Sequence, residues 1–282
     1  MPRKQLATEL RRLREEAGAT LEQVARELMI STSKLSRLEN AQGRPQPRDV
    51  RDLIRYYGLE NTTKAEQFMR WVRTAGTRAW WDDYADTIPG GLDTYLATEA
   101  EASVIRVYTL PILPVLLQTL DYTRAFLRRT EPWRSSSEIE QLLEVRSRRR
   151  QALQFRDDLP PLKLIAVTHE SSIRQLVGGP EIMRDQLDYL VDRSAMPNIR
   201  LQVLPFARTP PFTSTCMYAY FEFDDYDRDI VGIETHAGFR YFEAHDQVRR
   251  YRRYYDDLLA TALSPSESLA LVHSVRDEFF VS

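Results

Sequence analysis

Residues 20–40 read TLEQVARELMISTSKLSRLEN and carry the clearest structural signal in the chain. Apolar residues recur at helical spacing over 21–28, and Thr20 fits the N-cap of that helix. Ser31 fits the N-cap of a second helix over 32–40. The stretch therefore predicts two short helices separated by a break of three residues.

The second of these helices has few apolar positions. Only Leu35 and Leu38 are hydrophobic, so one narrow stripe is available for packing. The rest of the surface carries short hydroxyl side chains and cations, namely Thr32, Ser33, Lys34, Ser36 and Arg37. Short donors suit base edges in the major groove of DNA, and cations suit phosphates or guanine. The composition therefore predicts that this helix enters the major groove.

Three further helices are predicted around this pair. Residues 4–17 show an apolar face at helical spacing, and Gly18 fits the position that ends the helix. Residues 49–57 and 63–74 show the same periodicity. The N-terminal region is thus expected to be an all-α domain of five helices.

Residues 6–57 resemble the helix-turn-helix domain of Cro/phage-repressor-type (XRE) regulators, through the segments TLEQVA, STSKLSRLE and GRPQP. The resemblance implies that helix 20–28 crosses the DNA backbone while helix 32–40 reads the major groove. The implied base-reading residues are Thr32, Ser33, Ser36 and Arg37, and the implied phosphate contacts are Gln23, Lys34, Arg44 and Arg48. A structural alternative for Arg37 is an ion pair with Glu39 or Glu22.

The sequence departs from this family at two positions. Many members carry Gln at the position of Leu21, whose amide binds a phosphate, and Leu21 cannot make that contact. Many carry Gly at the position of Met29, within the turn. Since a left-handed backbone at Met29 would cost about 1 kcal/mol, we expect a slightly different turn here.

Charge is distributed unevenly along the 282 residues. Residues 1–80 contain 16 basic and 10 acidic side chains, a balance of +6, and the remainder has a balance of −8. This asymmetry favours an anionic partner for the N-terminal region. The single cysteine, Cys216, excludes an internal disulfide, and we expect it to be a buried, inert thiol. No membrane span or signal peptide is recognisable, so we expect a cytoplasmic, nucleoid-associated protein.

The C-terminal region mixes both kinds of periodicity, which predicts an α+β domain with a small mixed sheet. Helices are expected over 95–108, 120–128, 137–155, 172–177, 181–192, 248–263 and 266–279. Strands are expected over 163–167, 199–204, 216–223 and 230–235, the last two as an antiparallel pair. The predicted organisation is a DNA-binding domain at 1–75, an ordered linker at 76–92 and a sensor or partner-binding domain at 93–282.

Residues 80–280 resemble the uncharacterised domain that follows this helix-turn-helix in actinobacterial regulators, through segments such as LPVLLQTLDYTRA and VGGPEIMRDQLDYLV. That family is described as antitoxin-like, because its genes often lie beside one for a small acidic partner protein. The resemblance therefore implies a small acidic partner protein encoded nearby. The arginine run at 249–253 is a solvated helix face or a docking surface for such a partner.

Polar side chains are scattered through otherwise apolar segments of this domain, namely Glu99, Gln118, Arg146, Arg150 and Glu170. Because buried polar groups must be paired, these residues form either a structural salt-bridge network or a pocket. Such a pocket would sense an anionic small molecule or a partner's acidic tail.

Known catalytic and metal-binding patterns are missing from the sequence. The four histidines lie far apart, and adjacent residues of the segment THESS, at 168–172, cannot converge on one atom. We therefore expect no catalytic residues, no metal and no cofactor. The sequence favours a dimeric, sequence-specific regulator that binds double-stranded DNA. The alternative is an antitoxin-like interaction protein that binds DNA mainly for autoregulation.

Overall fold

The structure, a computed structural model, describes residues 2–40, 45–76, 79–156, 159–209, 217–224, 229–235 and 238–279. The chain divides into two units, Met1–Asp82 and Asp83–Ser282. None of the helices in the described ranges has the length and apolar character needed to cross a membrane. The predicted phosphate contact Arg44 and the predicted inert thiol Cys216 lie outside the described residues, as do 77–78 of the predicted linker.

The first unit contains the five helices expected from the sequence. They are α1 Pro2–Glu16, α2 Leu21–Glu27, α3 Thr32–Glu39, α4 Pro47–Tyr56 and α5 Thr63–Gly76. Leu10, Val24, Leu35, Leu53 and Phe68, one from each helix, are fully buried in a common core. The apolar stripes that define the helices in the sequence are therefore the surfaces that pack together.

The ends of α2 and α3 follow the predicted capping pattern. The Thr20 hydroxyl accepts a hydrogen bond from the Gln23 amide, and the Gln23 side chain accepts one from the Thr20 amide. The Ser31 hydroxyl accepts from the Lys34 amide at 3.2 Å. These bonds satisfy amide groups that the first helical turn leaves without partners, so they define where each helix begins.

The turn between α2 and α3 departs from expectation. Met29 has φ 51°, in the left-handed region, so the expectation of a different turn is wrong. The amide of the next residue, Ile30, donates to the Ala25 carbonyl at 2.9 Å, which closes α2. Met29 is 92% exposed, so packing of its side chain does little to offset the backbone strain of about 1 kcal/mol. The turn therefore has the left-handed backbone that favours Gly, even though Met occupies the position.

The second unit is an α+β domain, as predicted. Its helices are α6 Leu92–Glu101, α7 Leu120–Thr130, α8 Ser136–Gln151, α9 Glu170–Arg174, α10 Pro180–Ser194, α11 His245–Thr261 and α12 Pro265–Glu278. Its strands are β1 Val104–Thr109, β2 Lys163–His169, β3 Ile199–Leu204, β4 Tyr218–Glu222, β5 Ile230–Thr235 and β6 Gly238–Phe242. Short 3₁₀ helices cover Val115–Leu117 and Phe206–Arg208, and a further one, Trp80–Tyr84, crosses the boundary in sequence between the two units.

The strands form one six-stranded mixed sheet in the order β3-β2-β1-β4-β5-β6. β1, β2 and β3 are parallel, whereas β4, β5 and β6 continue the sheet with antiparallel pairs. Val107 of β1 lies opposite Ala166 on one side and Ala219 on the other. The predicted antiparallel pair is confirmed as β4 and β5.

Helices cover both faces of the sheet. On one face α11 packs against Tyr108 and Tyr220, and the Tyr255 hydroxyl donates to the Ile165 carbonyl at 2.6 Å. Alternate strand residues point the other way, so Val107 and Ala219 face α6 and α8. The two faces therefore have different environments, and the second face encloses the polar groups discussed below.

Two elements differ from the sequence prediction. The helix expected over 95–108 ends at Glu101, and Val104–Thr109 forms the central strand β1. The apolar residues of this segment fit the spacing of a helix as well as the alternation of a strand. Val104, Ile105 and Val107 are β-branched, however, and pack well in a sheet. The strand β6 was not predicted, because its residues lack the strict alternation that marks a half-buried strand.

Candidate functional site

The α3 helix presents a polar surface on the side opposite its buried residues. Leu35 is fully buried and anchors the helix, while Ser33 and Arg37 are exposed and Thr32 and Ser36 are half-buried. Thr32 and Ser36 are four residues apart, as are Ser33 and Arg37, so each pair forms a row along the helix and the two rows are adjacent. The four predicted base-reading residues therefore form one continuous surface, which we call the α3 reading face.

The Arg37 guanidinium lies on the α3 reading face. Its Nε donates to the Ser33 carbonyl at 3.3 Å, and it forms no ion pair with any described residue. Glu39, one of the two carboxylates considered as its partner, instead accepts three hydrogen bonds of 2.8–3.0 Å from Arg14. The charge of Arg37 is therefore available to a ligand.

The predicted phosphate contacts differ in how much of their charge is available. Lys34 pairs with Asp49 at 2.7 Å, so a phosphate would have to compete with that carboxylate. Arg48 is 89% exposed and lies 3.9 Å from Asp52. The side-chain oxygen of Gln23, Oε1, accepts a hydrogen bond from the Thr20 backbone amide. This bond places the side-chain NH2 group of Gln23 at the N-terminus of α2. A phosphate contact by Lys34 is accordingly expected to add less than one by Arg48.

The Arg14–Glu39 pair was not found from the sequence. Arg14 lies on α1, and the Glu39 side chain at the end of α3 is 4% exposed. The Arg14 guanidinium also donates to the Ala19 carbonyl at 3.1 Å, just before α2. The pair thus connects α1 and α3, and it fixes the orientation of the α3 reading face. Nothing in a single sequence links positions 25 residues apart in this way.

Glu99, one of the predicted pocket residues, belongs to a second buried ion pair. Arg149 of α8 donates two hydrogen bonds of 2.8 Å to Glu99, and its guanidinium lies over the Tyr95 ring at 4.9 Å. Burial opposes the charge on Arg149, but Glu99 outweighs this effect and raises the pKa of Arg149. The sequence marked Glu99 as a pocket residue but did not identify this partner.

Three other predicted pocket residues meet around the buried amide of Gln118. The Gln118 carbonyl oxygen accepts from Arg146 at 2.7 Å and from the Thr123 hydroxyl at 3.0 Å. Its amide nitrogen donates to the Leu113 carbonyl at 2.7 Å, and Arg150 donates to the Gln118 backbone carbonyl at 3.0 Å. The Gln118 side chain is therefore fixed and holds Arg146 in place.

Glu170 is separate from this group. Its carboxylate accepts from Arg174 at 2.7 Å and from the Phe206 amide at 2.9 Å, at the carboxyl end of β2. The expectation that Glu170 shares a cluster with Gln118 is therefore corrected. The error arises because a sequence shows that a polar residue follows a strand, but not which helix packs beside it.

A cavity of about 120 Å³ lies between the sheet and helices α6 and α8, and we call it the sheet cavity. Its walls are mainly apolar, and its charged lining residues are Glu131, Arg146, Arg149 and Glu234. Of the five predicted pocket residues, only Arg146 lines it directly. Glu234 was missed because it lies on a strand near a turn, where a charged residue is ordinary.

Family comparison agrees with the two units. Residues 5–67 match a model of a helix-turn-helix domain, which places the N-terminal unit in a class of DNA-binding domains. Residues 92–274 match a model described as a domain of unknown function (DUF5753), and the chain belongs to that family. No curated protein and no solved structure matches the chain.

Proposed function

We propose that this chain is a sequence-specific, DNA-binding transcriptional regulator. The observation that supports this best is the α3 reading face, where Ser33, Ser36 and the uncompensated Arg37 lie together on a helix-turn-helix domain. In helix-turn-helix proteins the second helix of the motif, here α3, enters the major groove of DNA, and the first helix of the motif, here α2, crosses the DNA backbone. The resemblance to Cro/phage-repressor-type (XRE) regulators supports the same docking.

Binding as a homodimer to a pseudo-palindrome follows from this proposal. A single α3 contacts only a few base pairs, and dimeric helix-turn-helix proteins bind half-sites about one helical turn apart. The balance of +6 in residues 1–80 supports DNA binding by that region, since the rest of the chain has a balance of −8. The C-terminal domain then serves dimerisation, sensing or partner docking. The protein acts at the nucleoid and has no catalytic role.

A second candidate function is supported by the exposed surface of α11. Arg249, Arg250 and Arg253 are exposed there, and a cationic helix face suits a small acidic protein. In this antitoxin-like alternative, holding the partner is the main role and DNA binding serves autoregulation. A small acidic protein that copurifies with the wild type, and is lost when the three arginines become serine, is the expected result.

Replacing Arg37 by alanine separates base reading from phosphate binding. We expect Arg37→Ala to weaken operator binding by roughly 5- to 150-fold and to relax specificity at one base pair. Lys34→Ala is expected to weaken binding to all sequences alike and to reduce the salt slope by less than about 1, because Lys34 is already paired with Asp49. Fluorescence anisotropy on operator and random duplexes at several salt concentrations measures both effects.

Arg11→Ala is the matched control, because Arg11 is an exposed α1 residue that pairs only with its neighbour Glu15 among the described residues. It is expected to leave operator affinity unchanged within error. If Arg37→Ala weakened operator and random DNA by the same factor, Arg37 would contact phosphate and not a base.

A further inference from the structure

The sheet cavity contains two charged groups that form no ion pair with another described residue, although each lies within the other's electrostatic field. Arg146 lines it from α8, and Glu234 lines it from β5. Within the described residues neither forms an ion pair, and the Glu234 carboxylate accepts no hydrogen bond. One cation and one anion in the same cavity are therefore open to a ligand.

The other charges in the cavity wall are already neutralised. Arg149 is bound by Glu99 through two hydrogen bonds. Glu131 pairs with Arg134, three residues further along the chain. A ligand gains little from groups that would first have to give up such partners. Recognition therefore depends on Arg146 and Glu234.

Arg146 is oriented before any ligand arrives. A single hydrogen bond of 2.7 Å joins its Nη1 to the Gln118 side chain, which Leu113 and Thr123 hold in turn. Its other N–H groups donate no hydrogen bond to a described residue and can donate to a carboxylate. Burial and the nearby Arg149 lower the pKa of Arg146 to about 10, so it stays cationic at neutral pH.

Glu234 lines the cavity from β5, and part of its surface is exposed to solvent. Desolvation by the surrounding protein raises the pKa of its carboxyl, while Arg146 and Arg149 oppose that effect. A lone anion entering the cavity would meet this carboxylate, and a lone cation would meet Arg146. A ligand with both charges satisfies both groups at once.

The size and the walls of the cavity restrict the ligand further. Leu116, Leu142, Val145 and Ala219 contribute apolar surface. The volume of about 120 Å³ compares with the roughly 150 Å³ of an engineered cavity that holds benzene. This limits the enclosed part of the ligand to about six non-hydrogen atoms.

We propose that the sheet cavity binds a small zwitterion of the amino-acid type with an apolar side chain. Its carboxylate contacts Arg146, its ammonium group contacts Glu234, and its side chain lies against the apolar wall. This inference rests on the proposed function, because the zwitterion would be the effector that controls DNA binding by the regulator.

Calorimetric titration of the full-length protein with each of the common L-amino acids tests this. We expect at least one apolar amino acid to bind with a Kd below about 1 mM. Its N-acetyl derivative lacks the ammonium charge and its methyl ester lacks the carboxylate. Each derivative is expected to bind at least roughly tenfold more weakly, since a charged hydrogen bond is lost.

Two variants with matched controls locate the site. Arg146→Gln and Glu234→Gln are each expected to weaken binding at least roughly tenfold. Arg148→Gln on the same helix and Glu243→Gln beyond β6 do not line the cavity and are expected to bind as the wild type does. The Glu234→Gln variant is also expected to bind the amino acid and its N-acetyl derivative with equal affinity, because the group that contacts the ammonium is gone. General destabilisation of the protein would not remove this preference.

The proposal is overturned if no amino acid binds the folded wild type, or if the singly charged derivatives bind as tightly as the parent. Selection of binding sites from random duplex DNA is measured separately with the same purified protein. Sequence-specific DNA binding without amino-acid binding removes only the ligand inference. Amino-acid binding without any preferred DNA sequence removes only the regulator function.

Discussion

Arg149→Met is expected to lower the free energy of unfolding of the C-terminal domain by about 3–5 kcal/mol. The variant leaves the Glu99 carboxylate buried without its partner, and Glu99 is 5% exposed in its side chain. The hydrogen bonds of 2.8 Å from Arg149 are the only ones to that carboxylate among the described residues. Urea denaturation followed by circular dichroism measures the loss.

The double variant Glu99→Leu with Arg149→Met separates the ion pair from the packing. Replacing both partners by apolar side chains is often neutral or stabilising, so most of the loss should be recovered. Arg148→Met, the neighbour on α8, pairs with the exposed Glu144 and should cost about 1 kcal/mol or less. A single-variant loss no larger than that of Arg148→Met would show that the Glu99 pair does not stabilise the domain.

Arg14→Met is expected to destabilise the N-terminal domain by about 3 kcal/mol, because it leaves Glu39 buried and unpaired. Since the pair connects α1 to α3, hydrogen exchange of the α3 amides should accelerate more than that of the β2 amides. Exchange measured by mass spectrometry resolves the two domains in one experiment.

Arg11→Met is the control for this change, because Arg11 pairs with Glu15 on the surface of the same helix. Its effect should stay below about 1 kcal/mol. Equal acceleration of α3 and β2 exchange in Arg14→Met would contradict a local role for the pair.

The helix-turn-helix domain was predictable because its signals are local. The hydroxyls of Thr20 and Ser31 cap the helices that follow them, as expected from their positions. The apolar spacing that defines α3 also identifies Leu35 as its buried residue. Only the Met29 backbone was misjudged, since the surrounding turn imposes a conformation that this residue type disfavours.

The C-terminal domain was predictable in class but less so in detail. The segment that forms β1 carries apolar residues that fit a helix as well as a strand. Its place in the centre of the sheet depends on pairing with β2 and β4, more than 50 residues away in sequence. Local patterns do not contain that information.

The candidate site was predictable only as a set of polar residues. Glu99, Gln118 and Arg146 are buried or half-buried and hydrogen-bonded, as the chemistry of buried polar groups requires. Arg149 pairs with Glu99 across 50 residues of sequence, and Glu234 lines the cavity from β5, so neither residue could be assigned to the cavity beforehand. The structure also places Glu170 apart from the others.

Selection of binding sites from random duplex DNA by the full-length protein, at about 0.15 M salt, tests the regulator function most directly. The α3 reading face and a dimeric arrangement predict enrichment of a palindromic motif with half-sites about one helical turn apart. Recovery of DNA without any enriched sequence, from protein shown to be folded, would contradict sequence-specific recognition by this chain.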